Sequence, residues 1–507
     1  MTRRMTGAAP TAPKLRAGAV ARGAAAAPAA RASAPAPASP AARTMPVYRV
    51  VRRGERAFLY SAATDQVYPL AAEALAAIER AGLDGERLRA MELAAGAAPF
   101  VLPPPPGRDA VRAEVEDGLG RKVQQIVLTV TESCNLSCQY CVYSGDFSGP
   151  RKRSPARMAW PVARKAIDHL LRSCSESPMA PALAFYGGEP LLELELLRRC
   201  AGYARERSGG AARFVITTNG TLLDGRARAF LREYDFTVLV SLDGPAEVHD
   251  RRRRDAHGRP TFARVMANLA ALKDEAPAYF PDRVRFSVVL APPVDYTLLD
   301  RFFNDTGAPC VVSPLDSYGL RPHWHLRQPP PDFEVLAAAL ERDCRSGDGA
   351  ELWRRFSVGL LGPSLRRLQS RCQRPPTAFS RLGQCIPGVR KVLIDPRGDM
   401  YPCEKAEGGP DVLIGHVDRG VSADAVERLL QRFARTVAHR CGDCWMRLMC
   451  SACLSDLIHG GRFVPRKMRL RCAARRRAQA DVLGLYAAML AQDPHVLDFL
   501  PAAFPWG

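Results

Sequence analysis

The stretch Thr129 to Phe147, TVTESCNLSCQYCVYSGDF, sets Cys134, Cys138 and Cys141 within eight residues, directly after an apolar run. A C-x3-C-x2-C triplet brings three thiolates to one point and leaves the fourth corner of a tetrahedral or cubane site open. Iron-sulfur cubanes normally take one thiolate on each of four irons, so a triplet without a nearby fourth cysteine leaves one iron for an outside ligand. A catalytic zinc site with three protein ligands would also leave a corner open, but such sites usually recruit histidine.

Outward from the triplet, residues 122 to about 320 alternate strands and helices in the parallel α/β manner. The strand segments are 126–130, 183–188, 213–220, 237–244, 284–292 and 310–315, with helical patterns such as WPVARKAIDHLLRSC and TFARVMANLAALK between them. Six such units predict a partial (β/α)6 barrel, with functional residues at the C-terminal strand ends. Three motifs fall there: Gly187-Gly188-Glu189-Pro190, Thr217-Thr218-Asn219-Gly220 and Ser241-Leu242-Asp243-Gly244. The two glycines allow close backbone approach to a ligand, and Glu189 can accept from an ammonium. Read singly, these motifs are also ordinary turns and helix caps.

The triplet, together with GGEP one βα unit later, resembles the radical S-adenosylmethionine (radical SAM) superfamily. That resemblance implies a 4Fe-4S cluster on Cys134, Cys138 and Cys141, with SAM on the open iron. It implies that Tyr140 lies beside the adenine and that Gly187, Gly188 and Glu189 meet the SAM amino group. Asn219 and Ser241 are expected among the SAM contacts, and Arg253, in HDRRRRDAHG, near the SAM carboxylate.

A second cysteine field runs from Cys385 through Cys403, Cys441-x2-Cys444-x5-Cys450-x2-Cys453 and Cys472. It resembles the SPASM extension of peptide-modifying radical SAM enzymes, which holds two auxiliary 4Fe-4S clusters. The central run here closes with C-x2-C, where that pattern usually has C-x3-C. By resemblance, Cys441, Cys444, Cys450 and Cys472 serve the distal cluster, and Cys385, Cys403 and Cys453 the one nearer the barrel. The fourth corner of the nearer cluster falls either to Cys372 or to a substrate thiolate. Zinc knuckles are the competing reading, but only five residues separate the CxxC pairs, less than the usual ribbon spacing.

The remaining sequence frames a substantial enzyme. Its 507 residues give a soft prior of about three domains, and 47% hydrophobic residues can fill real cores. The expected plan is an Ala/Pro/Arg-rich tail at 1–44, a small α+β module at 45–101 suited to holding a peptide, and a linker at 102–121 containing Pro103 to Pro106. The barrel follows at 122–330, a helical connector at 331–384, the cysteine-rich domain at 385–480 and a C-terminal helix and tail at 481–507. Met45 competes with Met1 as the start. The tail carries seven basic residues and no acid, so the formal charge of +20 falls to +13 without it. The basic run Arg251 to Arg254 lacks the aromatic interleaving or helix-turn-helix pattern of a nucleic-acid module. No stretch approaches a transmembrane span, and fifteen cysteines without a secretory signal point to metal ligation in a reducing cytoplasm.

The phrases CVYSGDF, YPCEK (Tyr401 to Lys405) and CGDCWMRLMCSAC (Cys441 to Cys453) further resemble maturases of ribosomally made peptides. The implied activity is reductive cleavage of SAM followed by oxidative modification of a precursor peptide, through a thioether or other side-chain cross-link. An electron donor such as flavodoxin or ferredoxin is implied as a partner. Anaerobic sulfatase maturases share this plan but usually carry Asp after the PC dipeptide. Here Glu404 holds that position, either as the base or as a surface carboxylate paired with Lys405, so formylglycine formation is the alternative activity. A multi-cluster electron carrier is the alternative from another class.

Overall fold

The computed structural model describes residues 47–94, 96, 108–143, 153–315, 318, 333–346, 349–371, 385–406, 408–441 and 444–500. The 1–44 tail with Met45, the Pro103 to Pro106 separator, the SGDF end of the triplet segment and Cys372 lie outside the described residues.

The chain opens on a three-stranded antiparallel sheet, β1 (Tyr48–Arg53), β2 (Arg56–Ser61) and β3 (Gln66–Leu70), followed by helices at Ala72–Ala81 and Gly85–Ala94. Leu59, Tyr68, Ile78, Leu83 and Leu88 form a small core of their own. Within the expected 102–121 linker, Arg108–Arg121 is helical. Val115 and Leu119, one turn apart, are buried there, and Gly118 gives the helix room to lie against Val389.

Six parallel strands then run in sequential order: β4 (Gln125–Thr131), β5 (Ala182–Gly187), β6 (Arg213–Thr218), β7 (Thr237–Ser241), β8 (Val284–Leu290) and β9 (Cys310–Pro314). Neighbours that are consecutive in sequence and parallel require a crossover each time, and helices supply most of them. Six of the seven β4 residues are buried, as befits a strand covered on both faces. The helix Trp160–Arg172 shows the matching signature. Pro161 opens it where the missing N–H costs nothing, and Ala163, Ala166, Ile167 and Leu170 bury one face. Asp224 caps the helix Gly225–Glu233 by accepting from the Ala227 N–H at 2.9 Å.

Three expected strands stop two or three residues early, β8 at Leu290 among them. β6 ends at Thr218, whose hydroxyl accepts from the Gly220 N–H at 3.1 Å, and β7 ends at Ser241. Side-chain capture of the backbone replaces ladder bonding at the end of β6 and leaves Asn219 to the polar network described below.

The sheet continues beyond the barrel. β10 (Val392–Ile394) pairs in parallel with β4, Val392 opposite Ile126, and β11 (Asp399–Tyr401), β12 (Gly415–His416) and β13 (Gly420–Val421) extend it antiparallel. The second cysteine field is thereby hung on the very strand that leads into the triplet. A small ribbon, β14 (Ile458–His459) with β15 (Arg462–Phe463), precedes the helix Pro465–Gln492, which packs back onto β1 and β2. No helix among the described residues is long and apolar enough to cross a membrane.

Candidate active site

The triplet loop is bound on two sides. Against β5, Gly188 N–H donates to Thr131 O at 2.8 Å and Glu189 N–H to Ser133 O at 2.9 Å. A Cβ on Gly187 would stand 2.2 Å from Thr131 O, and one on Gly188 2.0 Å from Ser133 O. The close approach expected of these glycines toward a ligand is therefore taken up first by the backbone entering the triplet. On the other side, Ser137 N–H donates to Arg254 O (2.7 Å) and Gln139 N–H to Arg252 O (3.1 Å). The RRRRD run is thus folded against the cysteine loop. Arg254 also donates to Gly258 O at 2.9 Å, and Arg252 to Pro292 O.

The three thiols are half-buried. Leu136 N–H points to Cys134 Sγ (3.4 Å) and Tyr143 N–H to Cys141 Sγ (3.5 Å). Burial pushes the Cys134 thiol up to about 12, and Glu189 and Cys138 add to the effect. The Cys138 thiol is also raised by burial, opposed by the positive charges of Arg253 and Arg153. Three clustered thiols with backbone N–H donors and nearby cations suit an anionic iron-sulfur centre, whose irons would displace the protons.

Glu189 is wholly buried. Its carboxylate accepts from Thr218 Oγ1 (2.7 Å), Asn219 N–H (2.7 Å) and Leu191 N–H (3.1 Å), joining the ends of β5 and β6. Burial raises its pKa to about 7 despite these three donors. Asn219 turns back toward the triplet: its Nδ2 donates to Asn135 Oδ1 at 2.9 Å and lies 3.9 Å from Cys134 Sγ. Thr221 closes the network through Asn219 Oδ1 (2.6 Å) and Asn135 Nδ2 (2.8 Å).

The second node is Asp243, which composition and spacing did not single out. It accepts from Arg253 Nε at 2.8 Å, from a second Arg253 nitrogen at 3.3 Å, from Val289 N–H at 3.0 Å and from the Tyr140 hydroxyl. Arg253 is 7% exposed and its guanidinium lies 5.3 Å from the Tyr140 ring centroid. Tyr140, Arg253 and Asp243 therefore form one buried unit beside Cys138. Ser241 is half-buried at the end of β7, opposite Ser287 of β8. His249, one turn before Arg253, is buried against Thr261 at 3.1 Å, and its pKa falls to about 4, chiefly through burial.

Several of the downstream cysteines lie within one another's fields. Cys403 is within electrostatic reach of Cys453 and Cys385, and burial lifts its thiol to about 12. Cys450 is within reach of Cys444 and Cys472. Cys441 lies beside Cys444, whose N–H donates to Cys441 O at 3.3 Å. Among the described residues no three His, Cys, Asp or Glu side chains converge on a single-ion site. A cubane asks for something else, since each of its irons takes one thiolate. Glu404 pairs with Lys391 at 3.2 Å, rather than with its neighbour Lys405. Burial pushes its carboxyl up, but Lys391 and Lys405 outweigh that and hold it below the ordinary range.

Residues 128–289 match the model of the Radical SAM superfamily. The chain has the radical SAM α/β fold with its parallel-sheet core. Among curated proteins it is 33% identical over 156 residues to a serine-type anaerobic sulfatase-maturating enzyme of Bacteroides thetaiotaomicron, covering 29% of this chain and 36% of that one. It is 32% identical to a cysteine-type anaerobic sulfatase-maturating enzyme of Clostridium perfringens, covering 28% and 38%. The chain thus spans little more than a third of the length of these relatives. A serine-type enzyme of Klebsiella aerogenes aligns at 24% identity over 63% of this chain and 76% of its own. The solved structure of native anSMEcpe with bound AdoMet shares the fold with a TM-score of 0.55 at 20% identity, covering 72% of this chain and 99% of that one.

Proposed function

We propose that this protein reductively cleaves SAM at the Cys134, Cys138, Cys141 site and uses the resulting radical to oxidise a side chain of a ribosomally made peptide, closing a thioether or another cross-link. The observation that carries the first half is the convergence of the triplet, Glu189, Asn219 and the Tyr140-Arg253-Asp243 unit at the C-terminal ends of β4 to β7. A cluster held there, together with SAM, supplies a 5′-deoxyadenosyl radical by one-electron cleavage.

The chain's own residues orient and shield. Glu189, with a pKa near neutrality, can receive an ammonium once a ligand displaces the proton it otherwise holds. Ser241 and Asn219 offer hydroxyl and amide groups at the strand ends, and Tyr140 offers a ring face beside Cys138. Arg253 stays charged because Asp243 neutralises it, so a ligand carboxylate meets a guanidinium already fixed in direction. Holding the reacting carbon and the radical in register is where most of the rate arises.

The second cysteine field supports an oxidative outcome. We assign Cys385, Cys403 and Cys453 to a nearer auxiliary cluster and Cys441, Cys444, Cys450 and Cys472 to a distal one. Clusters held by these cysteines would supply an acceptor for the electron that a substrate radical must lose when it closes a ring. A flavodoxin- or ferredoxin-type donor would deliver the electron that starts the cycle. Formylglycine formation is the second reading, supported by the sulfatase-maturating relatives in three organisms. Against it, Glu404 is held ionised by Lys391, which weakens it as a base.

The test is anaerobic turnover with dithionite, SAM and cysteine-containing peptides, read by mass before and after treatment with a hydrazide and a thiol alkylator. A cross-linked product loses two hydrogens and one alkylatable thiol and ignores hydrazide. A product that captures hydrazide is an aldehyde and overturns the first reading in favour of the second.

A further inference from the structure

The helix Pro465–Gln492 turns a basic stripe, Lys467, Arg471 and Arg475, toward the loop that carries Cys450 and Cys453. Lys467 Nζ is spent on the carbonyls of Ser455 (3.0 Å) and Ile458 (2.8 Å). Arg471 donates to Asp456 Oδ1 at 2.8 Å. Arg475 lays one nitrogen across both Asp456 oxygens, at 3.0 Å each. Asp456, whose side chain is 3% exposed, also accepts from the Cys453 N–H at 2.8 Å. The carboxylate thus ties helix to cysteine loop.

The other terminal nitrogen of Arg475 is buried and has no hydrogen-bond partner among the described residues. Leaving a guanidinium donor buried and unmet is expensive, so the position calls for an acceptor. Cys472 stands three residues before Arg475, one turn back on the same helix, and Cys450 lies within the field of its guanidinium. Arg367, half-buried, also lies within the field of Cys450 and Cys453, so a second cation attends these cysteines.

We propose that Arg475, fixed in direction by Asp456, donates its free N–H to the sulfur of the distal auxiliary centre and raises that centre's reduction potential. A reduced cluster carries one more negative charge than an oxidised one, so a fixed cation and a hydrogen bond to sulfur both favour the reduced form. This makes the distal centre the better electron acceptor. It rests on the assignment of an auxiliary cluster to Cys441, Cys444, Cys450 and Cys472. Arg475 acts as a positioning and tuning residue.

The experiment uses the full chain, reconstituted anaerobically with iron and sulfide, and EPR-monitored redox titration with dithionite. Wild type is compared with Cys450→Ala, Arg475→Gln and Asp456→Asn. Cys450→Ala tests the cluster assignment by itself: unchanged iron content there overturns that assignment. With the cluster present, Arg475→Gln should make reduction of one centre at least tenfold less favourable, a fall of ~59 mV for one electron. Asp456→Asn, which removes the charge that offsets Arg475, should move the same potential upward. A merely structural fastening would shift both in one direction or lose the iron from both, and either result overturns the proposal. Full iron with an unmoved potential in Arg475→Gln overturns it equally.

Discussion

Gly188→Ala isolates the contact on which the triplet's position depends. The added Cβ would lie 2.0 Å from Ser133 O, 2.5 Å from Ser133 C and 3.0 Å from Glu132 O, all backbone atoms. Ordinary carbon-oxygen contact begins at about 3.3 Å, so the strands must part by roughly 1 Å. That separation breaks the Glu189 to Ser133 hydrogen bond and stretches the one from Gly188 to Thr131. Overpacking of this kind costs about 1 to 3 kcal/mol, and each of the two backbone bonds adds about 1 kcal/mol, which together give about 3 to 5 kcal/mol. Urea denaturation of the apoprotein measures the loss, and iron content after reconstitution reports whether the triplet still closes. Gly120→Ala is the control: nothing lies within 4 Å of its Cβ, in the helix Arg108–Arg121, so it should gain about 0.5 to 1 kcal/mol. A Gly188→Ala protein within about 0.5 kcal/mol of wild type, with full iron, would refute the reasoning.

Glu189 gives a pH dependence. Its folded pKa of about 7 stands above the unfolded 4.5, so the folded state binds the extra proton. That stabilisation is complete below pH 4.5 and is lost as pH rises through 7. Some 2.5 units correspond to about 3 kcal/mol, so the wild-type advantage over Glu189→Gln should shrink by that order between pH 5 and 8, measured by urea melts of the apoprotein. Asp243→Asn strands Arg253 as a buried charge and should cost about 3 to 5 kcal/mol, whereas the double variant with Arg253→Met should recover more than half in the same assay. Equal stability of the single and double variants would show that the pair is not coupled.

Much of this arrangement is visible in the sequence because it repeats. Six apolar runs with helices between them define the barrel strands closely, and the motifs at their ends fall where parallel strands end. Asp243 is harder to see. A single acid after a strand is a common turn residue, and only the return of Arg253 and Tyr140 in space makes it a node. The joining of β10 to β4 is hidden for another reason. A strand of three residues, Val392–Ile394, has too little pattern to be told from a loop, and its partner lies far upstream. Glu404 shows the same limit: its adjacent lysine is obvious in the chain, but the ion pair forms with Lys391 across the open end of the β10–β11 hairpin. The glycines of GGEP were legible as a place of close approach, while what approaches them, the backbone at Thr131 and Ser133, depends on strand register.

The central claim is that the triplet turns SAM into a hydrogen-abstracting radical. Anaerobic incubation of the iron-loaded protein with SAM and dithionite, with 5′-deoxyadenosine measured by chromatography and mass, tests it directly. 5′-Deoxyadenosine is expected from the wild type and none from Cys134→Ala/Cys138→Ala/Cys141→Ala. No 5′-deoxyadenosine from wild-type protein with its iron and sulfide in place would contradict the claim.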